Sequence, residues 1–126
     1  KPKLSAGDLM LYYRMEDKIF PSDVLVYKKD GKLFVGRVIG QPGDVIDIPD
    51  EGGLIINGNT QIEDGIFYDT RPYDTEAVRY PVTLKKDEYF LMADMRSGAK
   101  DSRLFGPVKR SEIEGKVITI LRRSSL

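Results

Sequence analysis

The residues best suited to chemistry lie close together in the segment 94–103, which holds two aspartates, two arginines, two serines and a lysine. Hydroxyl, carboxylate and amine groups can act as nucleophile, acid, base or electrostatic support. The chain has no histidine and no cysteine. Within these residues, serine–histidine–aspartate and cysteine–histidine catalysis, imidazole or thiolate metal sites and disulfides are therefore excluded. We predict no metal and no cofactor.

The length and net charge of the chain limit the number of domains and the kinds of partner that it could bind. The 126 residues suffice for a single domain, spanning 1–126, whose core needs no metal or disulfide. Twenty basic and twenty acidic residues cancel to a formal charge of zero. That balance argues against nucleic acid as a partner and against a polybasic membrane patch. The sequence has no run of 18 apolar residues, so none of these residues is predicted to span a membrane.

The elements that must position this polar segment are predicted to be strands. Short apolar or alternating runs are bounded by turn residues, and Asp30-Gly31 and Asn57-Gly58 are typical of two-residue hairpin turns. A single helical turn at 109–114 is the most helix that the sequence predicts, and 64–75 is predicted to be a long ordered loop. These features predict an all-β, mostly antiparallel fold. The predicted strands are 9–13, 24–27, 33–39, 45–48, 54–56, a stretch around Ile62, 80–84, 89–92 and 117–121.

Such a fold would suit a barrel-like binding module, a sugar-binding domain or a small enzyme, so the choice depends on motifs. Two segments are more specific than strand patterning requires, 35–45 (VGRVIGQPGDV) and 93–108 (ADMRSGAKDSRLFGPV). Together they resemble two sequence boxes of the type I signal peptidases (peptidase S26), which remove signal peptides from exported proteins at the outer face of the membrane. Residues 2–8 and 22–26 are similar to the preceding boxes, so the resemblance covers nearly the whole chain. It implies a signal-peptidase-like β-barrel or sandwich with a small inserted cap region around 50–82.

The resemblance also implies a serine–lysine dyad, in which a neutral lysine amine takes the proton of the attacking serine. However, the lysine position falls on Gly36, and the position of the serine that orients the lysine falls on Ala99. The nucleophile position would lie upstream of Lys1. Lys32 shares a strand face with Gly36 but lies about 13 Å away, and a base must come within about 3 Å of its proton. We therefore find no intact catalytic residue and lean towards a protein that is not an enzyme.

Other family positions are occupied by the expected residues. Asp101, Ser102 and Arg103 match the residues that support the family's site from behind, and Asp94 and Arg96 match as well. Met95 stands between the last two, in place of the usual asparagine. With the dyad lost, we favour a structural role for these residues, such as an ion pair that holds a loop.

The family's substrate groove is a second candidate site. In the family an extended peptide adds as a strand beside the segment that leads to the lysine, through backbone hydrogen bonds that do not require the dyad. The matching peptide-binding positions include Gly36, which we expect to leave the groove more open. Plain core packing is an equal alternative for Phe34 and Val35. The full set is Leu4, Leu33, Phe34, Val35 and Gly36.

Three functions are compatible with these observations. The first is a catalytically silent protein like the SipA-type signal-peptidase-like proteins of streptococci, which act as chaperones or assembly factors in pilus polymerisation. Its partners would be a pilin subunit or another signal-peptide-bearing precursor, and a sortase. The second is an active signal peptidase with altered catalytic residues. The third is a β-barrel binding module that is only remotely related to the family.

The resemblance further implies a location and an assembly state. Family members carry an N-terminal membrane anchor and place this domain outside the cytoplasm, so we expect an anchor upstream of Lys1 and a position at the extracytoplasmic face of the cell membrane. A peptide-binding edge strand can also pair with a second copy, so self-association is expected to be possible.

Overall fold

The computed structural model describes the backbone of residues 3–6, 9–63 and 70–122, and the side chains of residues 10–63 and 70–120. These parts of the chain form eleven strands and one four-residue helix, α1 (Ser102–Phe105). The all-β prediction is therefore confirmed. The strands are β1 (Lys3–Ala6), β2 (Leu9–Arg14), β3 (Val24–Lys29), β4 (Lys32–Gly40), β5 (Val45–Asp47), β6 (Ile55–Ile56), β7 (Asn59–Thr60), β8 (Val82–Thr83), β9 (Glu88–Met92), β10 (Val108–Lys109) and β11 (Ile113–Arg122).

The strands form two antiparallel sheets. The larger sheet has the order β1-β2-β11-β3-β4-β9-β10, and the smaller has the order β7-β6-β5-β8. The two predicted hairpin turns join β3 to β4 and β6 to β7. Both residues of each turn have positive φ, at 52° and 78° for Asp30-Gly31 and at 52° and 83° for Asn57-Gly58. This conformation matches the right-handed twist of the flanking strands, and only glycine, asparagine and aspartate adopt it readily.

Each sheet packs on its own cluster of buried side chains. The cluster of the larger sheet contains Ile19, Leu25, Tyr27, Val38, Leu91, Val108 and Ile113. The cluster beside the smaller sheet contains Ile46, Ile48, Leu54, Val78, Leu84, Phe90 and Met92. Neighbouring residues of β9 belong to different clusters, since Leu91 faces the first while Phe90 and Met92 face the second. This alternation makes β9 the strand that ties the two parts of the molecule together.

The smaller sheet approaches β4 so closely that a Cβ atom on Gly40 would require neighbouring side chains to shift. A Cβ atom on Gly40 would lie 2.6 Å from Cδ1 of Ile46 and 2.8 Å from Cδ1 of Leu84. Both distances are far below van der Waals contact between carbon atoms. The glycine at the end of β4 therefore allows the second cluster to close against the main sheet.

Several predicted boundaries are wrong, for identifiable reasons. The strand expected around Ile62 is instead β7, which ends at Thr60, and the Ile62 side chain is 92% exposed. The helical turn expected at 109–114 shortens to a 3-10 turn at Arg110–Glu112, because β11 already begins at Ile113. Helix α1 was not predicted. Of the loop expected at 64–75, residues 64–69 lie outside the described residues, and 70–75 have no helix or strand.

Candidate functional site

The candidate site lies where β4, β9 and the loop after β9 meet. Gly36 is in β4, paired with Leu25 on β3, and the next residue, Arg37, pairs with Met92 on β9. Leu91 lies next to two positions matched to the family, Gly36 and Ser102. A Cβ atom on Gly36 would lie 3.2 Å from the Cβ of Leu91, and the Leu91 backbone N–H donates a 2.9 Å hydrogen bond to Oγ of Ser102. The fold therefore places Gly36 and Ser102 on either side of one buried residue.

The position matched to the lysine is buried and already surrounded. Besides Leu91, a Cβ on Gly36 would lie 3.4 Å from Cε1 of Tyr27 and 3.5 Å from the backbone nitrogen of Met92. Contacts below about 3.5 Å between carbon atoms are tighter than the dispersion optimum. A Cβ atom at position 36 would therefore touch side chains of both β3 and β9. The expectation that Gly36 leaves the groove more open stays a prediction.

Asp101 and Arg103 form a fully buried ion pair behind this position. Their side chains are 0% and 1% exposed, and Nη2 of Arg103 lies 2.9 Å from Oδ2 of Asp101. The same carboxylate accepts hydrogen bonds from Nε of Arg103 at 3.0 Å, from the Arg103 backbone N–H at 3.0 Å and from the Ala93 backbone N–H at 3.0 Å. Asp101 is thus the N-cap of α1, and its side chain also holds the residue that follows β9.

The loop carrying Ala99 is held by a tyrosine that the sequence did not identify. The Tyr73 hydroxyl donates a 2.6 Å hydrogen bond to the backbone oxygen of Ala99, and the Arg103 guanidinium lies 4.5 Å from the centre of the Tyr73 ring. Burial raises the pKa of Tyr73. Ala99 itself offers only a methyl group where the resemblance places an orienting hydroxyl. No local pattern marks Tyr73, since its partners lie more than 25 residues away along the chain.

A second arginine–aspartate pair lies on the surface of the same region. Arg37 donates two hydrogen bonds to Asp94, from Nε at 2.9 Å and from Nη2 at 2.8 Å. The hydrogen bond from Arg37 holds the pKa of Asp94 below its usual value, and the same contact raises the pKa of Arg37. Met95, next in the chain, is half exposed.

Arg96 connects this loop to the segments that carry Glu63 and Thr70. Its side chain is 1% exposed, its Nε donates to the Ala93 backbone oxygen at 2.7 Å, and its Nη1 donates to Thr70 Oγ1 at 2.6 Å. Nη1 also lies 2.7 Å from a carboxylate oxygen of Glu63. The residues predicted to have structural roles therefore form bridges between loops that are distant in sequence.

The predicted peptide-binding residues divide between the two faces of β4. Phe34 packs on the first cluster, with its ring centre 5.8 Å from that of Tyr27 and 4.9 Å from that of Phe105. Leu33 is partly exposed and Val35 half-buried, on the alternate face. Leu4 lies in β1, paired with Leu11, and its side chain is outside the described residues. In the order of the main sheet, three strands stand between β1 and β4, so backbone pairing does not bring Leu4 to the others.

Two further features bear on binding. β4 pairs with β9 only from Arg37 onwards, so the half of β4 that carries the predicted groove residues has a described strand on one side alone. An open cleft of about 520 Å³ lies beside the other half of β4, lined by residues of that strand, of the segment 54–63 and of the loop after β9, including Arg37, Ile39, Leu54, Ile62 and Asp94. Among the described residues, no group of three or more Asp, Glu, His or Cys side chains is placed to hold a metal ion, and no helix is long and apolar enough to cross a membrane.

Comparison with known proteins identifies the class. The family model for signal peptidase, peptidase S26, matches residues 1–121, and the chain therefore belongs to this family. The predicted family is thereby confirmed.

Individual relatives carry signal peptidase names. A probable signal peptidase I-2 from Synechocystis is 30% identical over 128 residues, covering 92% of this chain and 56% of that protein. Signal peptidase I V from Bacillus subtilis is 30% identical over 129 residues, covering 92% of this chain and 76% of that protein. A solved structure of a signal peptidase I from Enterococcus faecalis superposes with a TM-score of 0.66 at 28% identity, covering 83% of this chain and 99% of that one. The chain thus spans little more than half the length of the Synechocystis relative.

Proposed function

We propose that this protein is a catalytically silent member of the signal peptidase family that binds an extended client peptide and acts as an assembly factor in pilus polymerisation. The observation that carries the proposal is Gly36. The position matched to the lysine has no side chain and is buried, and a Cβ atom there would contact Leu91 at 3.2 Å and Tyr27 at 3.4 Å. A general base must reach the proton that it takes, and glycine has no group with which to do so. Ala99 lacks the orienting hydroxyl as well.

The proposed binding mode is strand addition along β4. The segment 32–36 pairs only with β3 among the described strands, so its other edge offers backbone donors and acceptors to a peptide. Leu33 and Val35 lie on one face of this segment and would contact side chains of the bound peptide. Phe34 faces the core instead, so its contribution is to hold β4 in place rather than to touch the client.

The proposed client is a pilin subunit or another precursor that carries a signal peptide, delivered to a sortase. The proposed location is the extracytoplasmic face of the cell membrane, through an anchor upstream of Lys1. We also propose that the free edge of β4 can pair with a second copy of the protein. This pairing would compete with client binding, because an unpaired strand edge can bind either one.

Active signal peptidase is the second candidate, favoured by the similarity to signal peptidases from Synechocystis and Bacillus subtilis. A cleavage assay distinguishes the two candidate functions. The full-length, membrane-anchored protein is incubated with a signal-peptide-bearing pilin precursor, with an active signal peptidase as positive control. We expect the precursor to remain intact and to be captured with the protein. Cleavage at the signal-peptide junction would overturn the proposal.

The binding mode is tested with two matched substitutions. Leu33 and Ile118 are strand residues of similar size, and each is 36% exposed. We expect Leu33→Asp to weaken precursor capture at least about tenfold, because a carboxylate would be desolvated against an apolar peptide, whereas Ile118→Asp leaves capture unchanged. Equal capture by both variants would show that the client binds elsewhere.

A further inference from the structure

The cleft of about 520 Å³ beside residues 37–39 of β4 has an apolar floor. Leu54 belongs to the second cluster of buried side chains, and Ile39 and Ile56 pack against that cluster. Ile62 also lines the cleft, yet its side chain is 92% exposed, the highest value for a large apolar side chain among the described residues. The cleft therefore offers apolar surface from its floor to its rim, as binding grooves for polypeptides do.

The charged side chains that line the cleft are paired with one another. Arg37 forms its bidentate pair with Asp94, and its Nη1 donates a 2.9 Å hydrogen bond to the backbone oxygen of Ser22. A carboxylate oxygen of Glu63 lies 2.7 Å from Nη1 of Arg96. A charged group in the cleft would lose hydration without meeting an unpaired counter-charge from these four residues. The lining therefore favours an uncharged occupant with apolar side chains.

The cleft continues the proposed binding edge of β4. Leu33, Val35, Arg37 and Ile39 alternate along the strand, so their side chains share one face. The edge of β4 is open beside the first two, whereas Arg37 is paired with Met92, the last residue of β9. A peptide strand added at the open edge cannot stay in the sheet beyond Arg37, because β9 occupies that place. The other face of β4 packs on the first cluster, so the cleft is the open path.

We propose that this cleft binds the part of the client peptide that continues beyond the residues paired with β4, and that this part is uncharged and apolar where it meets Ile62. The inference rests on the proposed function, since it assumes a client strand along β4. It extends the contact with the client from the edge of the sheet to the segment 54–63. Client residues on both sides of Arg37 then contribute to recognition.

Substitution of Ile62 tests the cleft without disturbing the core. We expect Ile62→Asp in the full-length protein to weaken capture of the pilin precursor about fivefold or more, because a carboxylate would lose hydration against an apolar client. The matched control is Ile120→Asp, at an isoleucine on β11 that is 56% exposed, and it should leave capture unchanged. Both variants should unfold within about 3 °C of the unsubstituted protein, since both side chains are exposed. Equal capture by the two variants would overturn the proposal.

Cross-linking locates the client residues that enter the cleft. The 126 residues contain no cysteine, so Leu33→Cys and Ile62→Cys each provide one attachment point for a photoactivatable maleimide. Leu33 and Ile39 are separated by about 20 Å along β4. The two cross-links should therefore fall within about ten residues of each other in the precursor. The signal-peptide side and the mature side of the paired segment would support the proposal equally. Cross-links farther apart, none from position 62, or one from position 62 to a second copy of the protein would overturn it.

The capture assay separates this inference from the proposed function. Weak capture by Leu33→Asp together with full capture by Ile62→Asp would overturn the binding role of the cleft and leave strand addition along β4 intact. Absence of capture by the unsubstituted protein would overturn both.

Discussion

Replacing Asp101 by asparagine should destabilise the protein severely, because the carboxylate is buried and fully used. It accepts four hydrogen bonds, three of them from Arg103, and both side chains are at most 1% exposed. Asparagine has the same shape but only one acceptor oxygen, and it leaves the Arg103 charge without a counter-charge in the interior. Breaking one partner of a buried ion pair costs about 3–5 kcal/mol. A domain of this size has a total stability of about 5–15 kcal/mol.

Asp94→Asn is the matched control. It breaks a second bidentate aspartate–arginine pair, with Arg37, whose side chains are 46% and 37% exposed. Exposed pairs contribute about 0–1 kcal/mol. Urea unfolding of both variants should show a large fall in midpoint for Asp101→Asn and a small one for Asp94→Asn, with the slope unchanged. Equal losses below about 1 kcal/mol would refute the view that burial gives the Asp101–Arg103 pair its structural weight.

Three further predictions concern the packing at Gly40, the titration of Tyr27 and the ion pair between Glu63 and Arg96. Gly40→Ala should cost about 1–3 kcal/mol, because its methyl group would lie 2.6 Å from Cδ1 of Ile46; native stability in urea would contradict this. Because burial raises the pKa of Tyr27, the unfolded chain releases a proton above pH 10 that the folded chain keeps. Tyr27 should therefore contribute a fall in stability of about 1.4 kcal/mol per pH unit there, in addition to that of Tyr80, whose pKa burial also raises. Tyr27→Phe should make the slope shallower by that amount; parallel curves would be inconsistent with a raised pKa of Tyr27. Glu63→Gln removes a 2.7 Å ion pair to buried Arg96 and should speed limited proteolysis severalfold, whereas an unchanged rate would show that the ion pair does not fasten this loop.

The features that the sequence predicted well are those with local causes. Asp30-Gly31 and Asn57-Gly58 adopt positive φ at both positions, as a two-residue hairpin requires, and each joins two adjacent antiparallel strands. The first turn also sets the register that pairs position 36 with Leu25. The family motifs at 35–45 and 93–108 identified the class without any structural information.

The features that escaped prediction depend on contacts between distant residues. Helix α1 has four residues, too few for a periodic pattern, and it is held by the Asp101 cap and the burial of Arg103. Ile62 looks like a strand residue by type, yet its side chain points to solvent beyond the end of β7. The approach of the Tyr27 ring to Gly36 becomes visible only when the two strands are placed side by side. Composition alone cannot reveal such pairs.

The position of β11 affects the order in which the molecule can fold. It lies between β2 and β3, with Lys116 opposite both Arg14 and Leu25, so the main sheet joins residues about a hundred positions apart in the chain. Contacts between such distant residues are slow to form because a long loop must close first. During synthesis, β2 and β3 therefore have no neighbour on their facing edges until residues 113–122 have left the ribosome. Until then these edges can pair with other chains, and a chaperone that covers them would favour correct folding.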